Sequence, residues 1–185
     1  DVYKRQISGT VGWHLPHVTP GGHVFKLSTS VRGDAYAVDD NAPTQEDGIT
    51  GRLIPEIRAL WNYPLIKQFK RVQIVLQPMV DFILSPNGEN PDDIPNEDSQ
   101  VLELSDVNLF SNNHFTGLDR VEGGPRANYG FRGSVLFPEV RVGFLFGQNY
   151  RATTNRIFTP ESGLEDNFSD YVGRVSLGDT SSITE

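Results

Sequence analysis

The sequence contains no cysteine, and its acidic residues outnumber its basic residues by 24 to 16. Without cysteine, the chain can form neither a disulfide framework nor a thiolate metal site. A net charge of -8 supplies none of the basic surface that nucleic-acid-binding proteins use. No apolar run approaches the roughly 20 residues that a membrane-spanning helix requires. These absences exclude nucleic acid as an expected partner and helical membrane proteins as a class.

Signatures of catalysis and metal binding are also missing. The histidines are scattered at positions 14, 17, 23 and 114, and neither a G-x-S-x-G elbow nor an H-E-x-x-H motif occurs. The acidic residues between positions 92 and 106 lack the spacing of an EF-hand and are typical of a solvated loop. We expect a protein that is not an enzyme and holds no metal or cofactor.

The beginning of the chain lacks the features of a mature N-terminus. Residue 1 is Asp1 rather than methionine, and the segment DVYKRQ has no apolar core of the kind found in a signal peptide. We expect the chain to be a fragment of an exported protein. Residues 1–6 are then a non-native or disordered end, and residues 179–185 are a tail.

The chain is rich in period-2 alternation of apolar and polar residues, the pattern of half-buried β-strands. The alternation occurs in seven runs, at residues 7–15, 24–37, 53–63, 72–84, 126–135, 140–150 and 171–177. The charged residues within these runs all fall on one of the two faces: Lys26, Arg32, Asp34, Glu56, Arg58, Asp81, Arg126, Arg132, Arg141 and Arg174. The pattern predicts an all-β protein, an antiparallel sheet with one apolar face and one wet face.

The connections between these runs alternate in length. Short turns are expected at 16–22, 64–70 and 137–139, and long loops at 38–51, 85–125 and 152–167. Outer-membrane β-barrels have short periplasmic turns and long extracellular loops, so the pattern favours a transmembrane barrel. Bacterial barrels carry an even number of at least about eight strands. About seven strands over residues 7–178 therefore predict a segment of a larger barrel.

Two prolines, Pro55 and Pro78, lie inside predicted strands. Proline removes a donor from the hydrogen-bond ladder and belongs at sheet edges or bulges. We therefore expect a local break in strand pairing at each of them.

The longest connection, residues 85–125, carries too many apolar residues for a disordered linker. We expect an ordered extracellular loop that helps to cap or order the lumen of the barrel. Its candidate structural residues are Ile94, Pro95, Asn96, Glu97, Asp98, Ser99, Asn108, Leu109, Phe110, Gly117, Asp119 and Arg120. Asn96, Asp98 and Ser99 are of the types that cap backbone turns. Asp119 and Arg120 are expected to take part in an ion pair that closes the loop.

Four segments resemble the barrel domain of the lipopolysaccharide-assembly (LptD/OstA) family of Gram-negative bacteria: IPNEDS at 94–99, NLF at 108–110, GLDRVEGG at 117–124 and NYG at 128–130. The resemblance implies a location in the outer membrane and a role in inserting lipopolysaccharide into the outer leaflet. It also implies two kinds of protein partner, an LptE-like lipoprotein inside the barrel and periplasmic bridge proteins. The family's N-terminal periplasmic domain and its disulfide-forming cysteines are absent from this chain.

The arginines on the wet face are a second set of candidate site residues: Arg32, Arg58, Arg126, Arg132, Arg141 and Arg174. Guanidinium groups suit phosphate, which lipopolysaccharide carries on its sugars, so these arginines are candidate contacts for lipid phosphate. In the plainer interpretation they pair with Glu56 and Asp81 or are simply hydrated.

Two other kinds of function remain open from the sequence. One is a different outer-membrane barrel, either a porin-like channel or a barrel enzyme, and the other is a soluble β-sandwich that binds a ligand. A charged substitution at Phe131 or Phe144 should abolish membrane assembly of a barrel but only weaken a sandwich. Capture of the partner lipoprotein would separate the lipopolysaccharide-assembly family from other barrels.

Overall fold

The structure, a computed structural model, describes residues 2–40, 48–87, 90, 96–153, 158 and 161–179. All regular secondary structure in these residues is β and forms one antiparallel sheet of eight strands. The strands are β1 (Val2–Val18), β2 (Val24–Asp40), β3 (Gly48–Asn62), β4 (Leu65–Gln68), β5 (Gln73–Leu84), β6 (Arg126–Leu136), β7 (Val140–Arg151) and β8 (Val172–Asp179). The prediction of an all-β, antiparallel protein is therefore confirmed. Among the described residues, no helix is long and apolar enough to cross a membrane.

The strands follow a meander in the order β1-β2-β3-β5-β6-β7-β8, and β4 pairs with β5. Because consecutive strands are antiparallel, the short turns lie on one rim of the sheet. At the opposite rim β2, β5 and β7 end and β3, β6 and β8 begin. In the turn between β1 and β2, Gly22 has a φ of 83° and donates its N–H to Thr19 O at 2.9 Å. The predicted alternation of lengths holds for the two later long connections, 85–125 and 152–171. The predicted loop 38–51 is wrong in its bounds, because β2 continues to Asp40 and β3 begins at Gly48, which leaves a connection shorter than the one between β3 and β5.

Strand pairing confirms the predicted division of the sheet into two faces. Directly paired residues share a face, and the register joins residues that the alternation assigns to the same face, such as Phe131 with Phe146. Large apolar side chains of the apolar face are exposed, among them Val11, Leu53, Phe82 and Val175. Polar side chains of the other face are buried, among them Asp34, Asp81, Arg126, Asn128 and Asn149.

Three details of the strands differ from the expectations drawn from the sequence. The described sheet has eight strands rather than about seven, because residues 65–68, expected in a turn, form β4. Residues 2–6, expected to be a non-native or disordered end, belong to β1 and pair with β2. β1 also continues through Pro16, where a turn was expected to begin. β1 is an edge strand of the described sheet, and an edge tolerates a residue without an N–H group.

The two internal prolines behave differently. At Pro78 the expected break is present on one side, where β5 pairs with β4 through residues 73–76 and with β3 only from Met79, but pairing with β6 continues through Pro78 without interruption. One backbone hydrogen bond spans this gap, from the Tyr63 N–H to Pro78 O at 3.1 Å. At Pro55 the expectation is wrong on the β2 side, where pairing continues without interruption. On its other side, β3 pairs with β5 only from Ile57 onward.

Candidate functional site

The long loop (residues 85–125) lies over the polar face of the sheet. Its backbone carbonyl groups and side chains contact β2, β3, β6 and β7. Two of its candidate residues, Ile94 and Pro95, lie outside the described residues. The other candidates fall into two groups, a pair of interlocked turns (residues 96–99 and 117–120) and an apolar plug (residues 108–110).

The interlocked turns hold each other through two aspartates. The carboxylate of Asp98 accepts hydrogen bonds from the backbone N–H groups of Leu118 (2.9 Å) and Asp119 (3.1 Å). In return, Asp119 Oδ2 accepts hydrogen bonds from the N–H groups of Glu97 (2.9 Å) and Asp98 (3.2 Å). Each aspartate caps the turn that carries the other aspartate, so each turn depends on its partner.

Ser99, Asn96 and Gly117 complete the interlocked turns. Ser99 Oγ accepts a hydrogen bond from the Arg120 N–H (3.0 Å), and Asn96 Oδ1 accepts one from the Ser99 N–H (3.0 Å). Gly117 has a φ of 69°, and a Cβ at this position would lie 2.5 Å from Asp98 Cγ, so glycine is required. In the described part of the chain, Arg120 takes part through its backbone N–H rather than through the expected ion pair.

The hydrogen bonds that Asp98 accepts also set its charge state. Partial loss of solvent raises the pKa of the exposed Asp98, but the N–H groups of Leu118 and Asp119 stabilise the carboxylate and lower the pKa to about 2. The interlocked turns therefore require an ionised Asp98.

The apolar plug is shaped by Asn108 and anchored by Leu109. Asn108 Oδ1 accepts a hydrogen bond from the Ser105 N–H (2.7 Å), and its amide nitrogen donates to Glu103 O (2.9 Å). Leu109 is fully buried and packs on Gly147 of β7, where an added Cβ would lie 2.6 Å from Leu109 Cδ2. The buried apolar cluster around Leu109 also contains Leu104, Phe115, Phe158, Leu164 and Val172. This cluster joins the long loop to the 152–171 connection and to β8.

Arg32 and Arg52 anchor the interlocked turns to β2 and β3. Arg52 donates to the carbonyl oxygens of Leu118 and Asp119, both at 2.6 Å. Arg32 donates to Leu118 O at 2.5 Å. Both arginines also bond the buried carboxylate of Asp34, at 2.8 and 2.7 Å. Asp34 therefore supplies the negative charge that lets two guanidinium groups lie together under the loop.

Arg58 and Arg126 anchor the middle of the long loop. Arg58 bonds both carboxylate oxygens of the buried Asp81, at 2.9 and 2.5 Å, and donates to Phe110 O at 2.9 Å. Arg126 donates to Asn112 O at 2.5 Å. For Arg58 the geometry is that of the plainer interpretation, a pair with Asp81. Arg58 also holds the loop, through its hydrogen bond to Phe110 O.

A buried carboxylate, Glu122, forms a further anchor that the sequence did not identify. Its Oε2 lies 2.6 Å from His114 Nδ1, and its Oε1 bonds Arg151 and lies 3.4 Å from Arg126 Nε. Burial raises the pKa of Glu122, but His114, Arg126 and Arg151 outweigh it and lower the pKa to about 2. The four side chains tie two points of the long loop to β6 and β7. Among the described residues, no three His, Cys, Asp or Glu side chains come together as metal ligands, here or at any other position.

The other three candidate arginines, Arg132, Arg141 and Arg174, line a cleft of about 560 Å³ on the polar face of β5 to β8. Arg174 pairs with Asp106 of the long loop at 2.7 Å. Arg132 donates from Nε to Gln77 Oε1 at 2.9 Å. The candidate arginines thus divide into three that anchor the loop and three that surround a cleft beside it.

The chain matches the family model described as LptD, LPS transport system D, over residues 8–183. The match covers nearly the whole chain and includes the interlocked turns, the apolar plug and both sets of arginines. Among curated proteins, no sequence matches this one significantly.

Proposed function

Because this chain belongs to the LPS transport system D (LptD) family, we propose that it forms part of the wall of an outer-membrane barrel that inserts lipopolysaccharide into the outer leaflet. In this proposal the apolar face of the sheet contacts lipid and the polar face lines the lumen. The long loop caps and orders that lumen. The chain provides structure and a path for the lipid, and it does no catalysis.

The exposure of one whole apolar face is the observation that carries the proposal. A half-buried antiparallel sheet in water normally buries its apolar face and leaves its polar face wet. Here Val11, Phe82 and Val175 are exposed, whereas the loop covers the polar face. Each large apolar side chain gains about 1.5–3 kcal/mol when it leaves water. The face therefore requires an apolar environment, which membrane lipid supplies.

The stagger of the strands also supports a barrel wall. β3 begins at Gly48 but pairs with β5 only from Ile57, while the first residues of β5 extend beyond β3 and pair with β4. Strands in a barrel are tilted by about 35–45° and shifted in register from one to the next. A shift of this kind is what a tilted wall requires.

The two edges of the sheet support a larger barrel. Within the described sheet, β1 and β8 each pair on one side only. Unpaired backbone groups cost several kcal/mol each in hydrocarbon, so an open sheet is unstable in a membrane. In this proposal, further strands of the same protein pair with both edges and close the barrel.

In this proposal the connection lengths set the orientation, and membership of the family suggests the partners. Short turns face the periplasm and long loops face the exterior, as in other outer-membrane barrels. The transported partner is lipopolysaccharide. An LptE-like lipoprotein lies inside the barrel against its polar face. Periplasmic bridge proteins deliver the lipid through the N-terminal domain of the family.

Adjacent residues of β2 allow a matched test of the lipid-facing surface. Thr29 lies on the apolar face beside Trp13 and Ile57, whereas Ser30 lies on the polar face opposite Glu56. A lysine facing lipid near the bilayer midplane costs about 2–4 kcal/mol, and a lumen charge stays solvated. We expect Thr29→Lys to reduce strongly the folded, membrane-assembled fraction of the intact protein, and Ser30→Lys to leave that fraction near the wild-type level.

The outcomes separate the candidate functions. Equal assembly of the two variants would contradict a lipid-facing apolar surface. A folded, water-soluble Thr29→Lys protein would favour the β-sandwich. A barrel that assembles but neither captures an LptE-like lipoprotein nor delivers lipopolysaccharide would favour a porin-like channel.

A further inference from the structure

The cleft lined by Arg132, Arg141, Arg174 and Asp106 (the arginine cleft) lies on the polar face, bordered but not filled by the described part of the long loop. Its three arginines come from three neighbouring strands, β6, β7 and β8. Its volume of about 560 Å³ lies in the range of small-molecule binding sites, about 300–1,000 Å³. The cleft is therefore large enough for a sugar with its substituents.

The arginine cleft has an excess of positive charge. Its lining contains three guanidinium groups and one carboxylate. Under the loop, by contrast, Arg58 has its own buried partner in Asp81. Among the described residues, Arg132 bonds only the neutral amide of Gln77, and none bonds the guanidinium group of Arg141. In a chain with a net charge of -8, this local excess marks a place suited to an anion from outside the chain.

We propose that the arginine cleft binds phosphate groups on the sugars of the transported lipid. The proposal rests on the proposed function and specifies which part of the substrate this section of the wall contacts. Guanidinium groups form paired, charge-assisted hydrogen bonds with phosphate oxygens. Gln77 and Ser176, which also line the cleft, offer an amide and a hydroxyl group to sugar hydroxyls.

Asp106 serves as a replaceable counter-ion in this cleft. Its pair with Arg174 has side chains that are 24% and 57% exposed, and exposed ion pairs contribute little to stability. The neighbouring Val107 is 84% exposed, so the Asp106 side chain can turn toward solvent while the turn itself stays in place. An incoming phosphate group takes the place of the carboxylate, and Asp106 moves into solvent.

The test compares binding of two probes to the intact protein, purified with its lipoprotein partner in detergent. One probe is short-chain lipopolysaccharide, and the other is the same preparation after enzymatic removal of its phosphates. The cleft variant combines Arg132→Gln, Arg141→Gln and Arg174→Gln. The control variant removes equal charge from exposed positions outside the cleft, by Lys26→Gln, Lys67→Gln and Arg71→Gln.

We expect the wild-type protein to prefer the phosphorylated probe by a factor on the order of ten. The control variant should keep this preference and the cleft variant should lose it. Inorganic pyrophosphate should displace the phosphorylated probe from the wild-type protein. Asp106→Asn should bind that probe about two- to fivefold more tightly, because an exposed competing carboxylate has been removed. Misfolding would lower the affinity of Asp106→Asn for the phosphorylated probe, so a gain in that affinity must come from the cleft itself.

An unchanged preference in the cleft variant, no preference in the wild-type protein, or no gain from Asp106→Asn would overturn the proposal. Membrane assembly and delivery of lipopolysaccharide to the cell surface are measured for the same proteins. Normal assembly and delivery without a phosphate preference would refute the arginine cleft alone. Absence of assembly or delivery in the wild-type protein would refute the proposed function.

Discussion

Replacing Gly117 with alanine should open the interlocked turns without disturbing the sheet. Gly117 has a φ of 69°, a left-handed conformation that costs an alanine about 1–2 kcal/mol. An added Cβ would also lie 2.5 Å from Asp98 Cγ and 2.6 Å from Asp98 O. The carboxylate must therefore move away from the N–H groups of Leu118 and Asp119, which now donate hydrogen bonds to it.

The size of the effect follows from these two terms. A hydrogen bond to a charged group contributes about 1.5–3 kcal/mol, and the lower value applies because Asp98 is exposed. Added to the backbone cost, this weakens the closed turns by roughly 3 kcal/mol. The ratio of closed to open loop then falls by a factor on the order of one hundred.

Amide hydrogen exchange of the intact protein measures this opening. In Gly117→Ala, the N–H groups of Leu118 and Asp119 should exchange on the order of one hundred times faster than in the wild-type protein, while those of β6 should not change. Gly9→Ala is the control, because an added Cβ at Gly9 meets nothing within 4 Å. Unchanged exchange in Gly117→Ala, or equal acceleration in Gly9→Ala, would show that the left-handed glycine does not control closure of the turns.

Two further predictions concern the anchors of the loop. The folded-state pKa values of Asp98 and Glu122 are lowered to about 2 from ordinary values of 3.8 and 4.5. The stability that these residues contribute is therefore full above about pH 4.5 and is lost as the pH falls toward 2. Protease cleavage within the loop should therefore rise over that interval, and cleavage that does not depend on pH would contradict the assignment. Arg58→Lys keeps the charge but cannot bond both oxygens of Asp81 and also reach Phe110 O, so it should weaken the apolar plug by roughly 1–2 kcal/mol. Hydrogen exchange in the plug measures the loss, and full protection in the lysine variant would show that charge alone is sufficient.

The two faces of the sheet could be predicted from the sequence because side-chain alternation is a direct property of the extended backbone. The register places residues of the same predicted face opposite each other, as in Val31 with Pro55. β4 was missed because Pro64, a residue typical of turns, begins this segment. Four residues are also too few for alternation to be recognised.

The candidate site was only partly predictable, because its contacts span long stretches of chain. The capping residue types were evident, since Asn, Asp and Ser bond nearby backbone in many turns. The reciprocal bonds between Asp98 and Asp119 join segments about twenty residues apart and have no local signal. The same holds for Glu122, whose partner Arg151 is 29 residues away. The division of the arginines depends on the path of the loop, which alternation does not describe.

The anchors of the long loop impose an order on folding. Arg32 and Arg52 precede the loop in the chain, whereas Arg126 and Arg151 follow it. The contact of Arg32 with Leu118 joins residues 86 positions apart, and contacts of such long range form late because their loop-closure entropy is large. The strands on both sides must therefore pair before the loop can close. In the proposed barrel, the polar face would stay uncovered until these strands have paired, so a lumen partner would have an interval in which to enter before the loop closes.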